Sequence, residues 1–208
     1  MTPAMRLKAH WFKDPGAKSP AEHASAAAFI AWRVARQMLD RMRKAGYSID
    51  AGPAYFGFLR EALVFLVAVA DRIAHARMEG PARAEFTTAL VLHAADTLAG
   101  NEIDLLGPPP PGAPSYRDRF IDLVNELAGH YAEFGTEPGA DGFVPDFAFR
   151  RYLGVRIALW LPEQDRRWAL DQVMDIEAPE AAQTLQRGLH SLMSTEPRTA
   201  RRAAVSGD

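Results

Sequence analysis

Apolar residues recur at helical spacing along most of this chain, and the gaps between them carry residues that end helices. The first segment opens at Ser19-Pro20-Ala21-Glu22. Serine at the cap, proline at the first helical position and glutamate at the third form a capping box, which pairs orphan backbone donors reciprocally. Phe29, Ile30, Trp32, Val34, Met38, Leu39 and Met42 then keep the helical period as far as Gly46, a left-handed terminator. A second helix is expected from about Pro53 to about Met78. Its middle, Leu63-Val64-Phe65-Leu66-Val67, is apolar on all sides, which places it at the centre of a bundle. Gly80-Pro81 breaks it, and a third helix follows from about Ala82 to Ala99, with room for an extra turn through Leu105.

The run Gly107-Pro108-Pro109-Pro110-Pro111-Gly112-Ala113-Pro114 fits neither helix nor strand. It reads as a proline-rich central loop, either a surface loop or a stiff spacer between two halves; without a flanking arginine pattern, a ligand for a proline-reading domain is the weaker reading. Ser115 caps a fourth helix that ends at Gly135, and Thr136 to Gly142 reads as loop closed by an Asp141-Gly142 turn. Three more helices are expected over 146–161, 163–176 and 179–193, with Pro162 and Pro179 at the joints. No repeat of fixed period appears. The pattern predicts an all-α fold: a single globular bundle of about seven helices over 19–193, an N-terminal arm over 1–18 and a disordered tail over 194–208.

Composition agrees with helix. The 208 residues include 37 alanines, against 25 valines, isoleucines and threonines together. Arginine outnumbers lysine 20 to 4, which with the alanine excess fits the codon use of a GC-rich bacterial genome. Cysteine is absent, which removes disulfides, thiolate metal sites and cysteine nucleophiles. A formal charge of −2 offers no global field for nucleic acid or an anionic membrane. The longest apolar run, Ala62 to Ala70, is less than half of the roughly twenty residues a membrane span needs. No signal segment is visible either. A cytoplasmic protein without nucleic-acid or membrane partners is the expectation.

Motifs for phosphate loops, dinucleotides, serine hydrolases and zinc proteases are missing, as are His-Asp and Glu-x-x-His. What remains is a set of acids and imidazoles on long helices. Glu61, Asp71 and His75 share an arc of about 80° on the second helix, as do Glu85, His93 and Asp96 on the third. Such groups facing one another across helices would make a ligand set for a divalent metal, with Asp71, His75, His93 and Asp96 as ligands and Glu61 as proton carrier. The competing reading is an ion-pair network in which Asp71 is joined by Arg72 or Arg77. Glu126 and His130 on the fourth helix, the pair Asp171 and Asp175, and the basic face of Arg33, Arg36, Arg41, Arg43 and Lys44 read as solvated.

Three functions follow, in order of preference. The first is a non-catalytic protein acting through a protein partner or its own oligomer. A homodimer is the favoured form, with Trp11-Phe12 as an apolar pair available for docking. The second is a metal-dependent hydrolase or oxidoreductase built on the acid and histidine set. The third is a binding protein with an apolar small-molecule pocket lined by Phe58, Phe65 and Phe86.

Overall fold

The computed structural model describes residues 18–139 and 142–193. It is mostly helical, as expected. Helix α1 spans Pro20–Lys44, α2 Pro53–His75, α3 Gly80–Leu106, α4 Tyr116–Glu133 and α5 Phe147–Ala158. The last helix, α6, is α-helical over Glu163–Gln172, π-helical over Val173–Glu177 and α-helical again over Ala178–Met193. The expected arm and tail, and the Asp141 half of the expected turn, lie outside the described residues.

Local signals place most helix starts. Ser19 accepts from Glu22 N and Glu22 bonds back to Ser19 N at 2.8 Å, so both halves of the capping box form. Ser115 caps α4 through Asp118 N at 3.0 Å. Helix α3 takes the extra turn and ends at Leu106, and residues 107–115, which follow it, are neither helix nor strand.

Helix α2 is the axis of the bundle and packs against every other helix. Phe56, Phe58, Leu59, Leu63, Phe65 and Leu66 are all buried. By length and composition α2 would also suffice to cross a membrane, but 72% of its most apolar stretch is enclosed by the other helices. One contact needs glycine. At Gly57 the indole of Trp160 lies against the backbone where a Cβ would sit.

Two expectations change. The joint at Pro179 does not end a helix, so the described residues hold six helices rather than seven. Proline has no N–H to donate four residues back, which breaks an ordinary α-turn. Here the wider turn absorbs the defect, with Ala178 N–H bonded five residues back to Val173 O. The second change is a hairpin in the stretch read as loop: β1 (Thr136–Gly139) pairs antiparallel with β2 (Gly142–Pro145). Two prolines and two glycines among its eight strand residues hid it. Its support comes from elsewhere in the chain. The buried Gln186 amide of α6 donates to Phe143 O at 2.6 Å and accepts from Phe143 N at 3.2 Å, replacing a third strand. At the hairpin's base, Gly135 N donates to Asp146 Oδ2 at 2.7 Å, while Asp146 Oδ1 caps α5 through Phe149 N at 2.8 Å.

The Trp160 contact yields a test. Gly57→Ala forces the indole away from α2 and should lower stability by about 1–3 kcal/mol, the usual range for overpacking. Urea unfolding measures this. An unchanged midpoint would show that the indole yields at no cost.

Candidate functional site

Helix α2 carries two adjacent charges, Arg60 and Glu61, inside an apolar surround. Buried charges must be paired, and these two pair in different directions. Glu61, 1% exposed, accepts from Arg156 of α5 through Nη2 at 2.8 Å and Nε at 3.0 Å. Trp160 Nε1 adds a longer bond to the same carboxylate at 3.4 Å. Arg60 reaches Glu102 of α3, which is fully buried. Burial pushes the Glu102 carboxyl above its ordinary value, against the pull of Arg60 and Arg119. A third buried acid, Glu177, lies in the π turn and accepts from Arg41 Nε of α1 at 2.8 Å and Gln172 Nε2 at 3.2 Å. Burial raises it too.

Beside the Glu61 pair lies an aromatic cluster. Tyr131 of α4 packs against Phe149 and Tyr152 of α5 with centroids 5.0 and 5.2 Å apart. Its hydroxyl is buried without a hydrogen-bond partner, and burial pushes that phenol well above its ordinary value. His130 stacks on Tyr152 at 5.5 Å.

One cleft opens on this region, between α2, α3 and α4. It holds about 170 Å³ and is lined by Val64, Val67, Ala68, Asp71 and Arg72 of α2, Thr87 of α3, and Val124, Ala128, Tyr131 and Ala132 of α4. The space exists because Ala68 on α2 and Ala128 and Ala132 on α4 are small. Its polar edge is held in place by internal bonds. Asp71 accepts from Arg83 Nε at 2.9 Å, from Arg83 Nη2, and from Thr87 Oγ1 at 2.8 Å. Burial pushes the Asp71 carboxyl up, but the bonds and charge of Arg83, with Thr87, outweigh it and hold it below its ordinary value. Arg72 donates through Nη2 to the carbonyls of Tyr131 (3.0 Å), Ala132 (3.4 Å) and Phe134, the last turn of α4.

The residues singled out from sequence do not gather. Glu61 is closed off by Arg156. Asp71 and His75 both sit by Arg83, whose Nη1 lies 3.1 Å from His75 Nδ1. The partner of Asp71 is therefore Arg83, neither Arg72 nor Arg77. His93 is exposed, and Asp96 pairs with Arg117 of α4 at 2.6 Å. Among the described residues no group of three or more histidines and acids is placed to hold a metal ion. Phe58, Phe65 and Phe86 are fully buried core and do not line the cleft. Of the basic face on α1, Arg41 turns inward to the buried Glu177, while Arg43 stays exposed and bonds the Ile49 carbonyl.

Sequence reasoning missed Arg72, Arg83 and Tyr131. Their one sequence signal was negative: charged or hydroxyl-bearing side chains on otherwise apolar helix faces. Comparison with protein-family models, curated proteins and solved structures finds no match for the chain.

The Arg60–Glu102 pair gives a test. Arg60→Leu leaves a bare buried carboxylate and should cost about 3–5 kcal/mol, whereas Arg60→Leu with Glu102→Leu should recover most of it. Denaturant unfolding at neutral pH distinguishes the two. A double variant as unstable as the single one would contradict the pairing.

Proposed function

We propose that the protein is a non-catalytic binding protein whose α2–α3–α4 cleft takes a small molecule with an apolar body. The observation that carries this reading is the cleft's size and lining: about 170 Å³, walled mostly by valine and alanine. An apolar cavity of about 150 Å³ is large enough for benzene. The reactive groups at its edge support binding over chemistry. Despite burial, Arg83 and the Thr87 hydroxyl hold the Asp71 carboxyl below its ordinary value, which makes it a weak base for that hydroxyl.

Toluene is the direct probe. It should perturb the NMR methyl signals of Val64, Val67 and Val124 in a saturable way. Ala128→Leu, at an exposed lip, should abolish this without altering the circular dichroism. Saturable binding that survives Ala128→Leu would place the ligand elsewhere.

A second reading, self-association, is favoured by a separate observation. Phe147 and Val155 of α5, Leu159 just after it, and Trp168 and Ile176 of α6 are exposed, Trp168 by 66%. The two helices are neighbours, with Arg150 Nη1 donating to Met174 O at 3.3 Å and Gly154 against Leu170. Exposed Arg151 on α5 and exposed Asp171 and Asp175 on α6 form no ion pair among the described residues. A second copy related by a two-fold axis would set arginine against aspartate and apolar against apolar. Sedimentation equilibrium should show a dimer at micromolar concentration, and a monomer for Val155→Asp with Trp168→Ser. Wild-type protein that stays monomeric would rule the face out.

A further inference from the structure

The cleft carries one charge that the fold does not neutralise. Arg72 lines it beside Asp71, yet the two arginines divide their work unequally. Arg83 takes the Asp71 carboxylate, and Arg72 is left with backbone carbonyls alone. Those carbonyls occupy Nη2. The Nε and Nη1 of Arg72 have no hydrogen bond among the described residues, and neither is among the sealed, unpartnered atoms, so both are open to solvent. The guanidinium is nevertheless held still: Nη2 is tied to the end of α4, and its carbon lies 5.9 Å over the Phe149 ring. A fixed cation with one free edge, at the mouth of an apolar space, is complementary to an anion with an apolar body.

We infer that the ligand is a small monocarboxylic acid, its aryl or branched alkyl body among Val64, Val67 and Val124 and its carboxylate on the free edge of Arg72. This rests on the proposed binding function of the same cleft. A second negative charge on the ligand would face Asp71, the next residue on α2, so a dicarboxylate or phosphate dianion fits less well. A cationic head would meet Arg72 and Arg83 together. Arginine suits this task better than lysine, because its planar fork serves the α4 carbonyls on one edge and a carboxylate on another.

The test titrates the full chain with phenylacetate, toluene and benzylamine, followed by calorimetry and by the same valine methyl signals. Phenylacetate should bind about tenfold or more tighter than toluene, the effect of one charge-assisted hydrogen bond, and weaken with added salt. Benzylamine should bind more weakly than either. Ala132→Asp sets a carboxylate on the exposed α4 lip without touching the core. It should weaken phenylacetate about tenfold more than it weakens toluene, because only the carboxylate meets the added charge. Arg72→Met should equalise the two ligands, and Ala132→Asp covers the case in which Arg72→Met fails to fold. Toluene and phenylacetate binding equally well would overturn the carboxylate assignment while leaving the cleft reading intact. Failure of all three probes would remove the cleft reading itself.

Discussion

Two neighbouring charges on a buried helix set the terms for this bundle. Arg60 and Glu61 sit near the start of the most apolar segment of α2, where neither can keep its own water. Each must find its opposite on another helix, and the two point about 100° apart. Arg60 therefore fixes α3 through Glu102, and Glu61 fixes α5 through Arg156. Apolar packing alone tolerates sliding and rotation. A buried carboxylate does not, because a small displacement leaves it unpaired. Such pairs add little net stability compared with an apolar replacement. In this chain their contribution is to select one arrangement of helices around α2.

Glu177 applies the same rule at the far end of α1. The pairs share a pattern: an acid almost wholly buried, and an arginine whose side chain is only partly buried. Arginine manages this because its long apolar stem packs while its guanidinium retains several donors. Part of the arginine excess thus has structural work.

Features that depend on three or four neighbouring residues were legible in the sequence. The Ser19 capping box, the Ser115 cap and the enclosure of Leu63–Val67 are of this kind, since cap and period are local. Features that depend on chain reversal were not. Asp71 had arginines one and six residues away, and the structure uses neither. The turn at 76–79 folds α3 back on α2 and delivers Arg83. The hairpin was hidden because its stabilising partner, Gln186, lies more than forty residues on. The cleft was hidden for another reason: an alanine in a helix reads as helix propensity, and only a second alanine facing it turns that into empty space.

The π turn in α6 has a geometric consequence. A turn closed five residues back holds one residue more than its α-helical equivalent, so the side chains beyond it are rotated by about 100° relative to those before it. Ala169 ahead of the turn and Val173 at its start are buried where the helix meets α5; behind it, Ala181, Leu185 and Leu189 are buried where it meets α1 and α2, and Gln186 against the hairpin. A helix of uniform phase would present one stripe to both sets of neighbours. The extra residue acts as a phase shifter, letting a single unbroken backbone address two surfaces that do not share a direction.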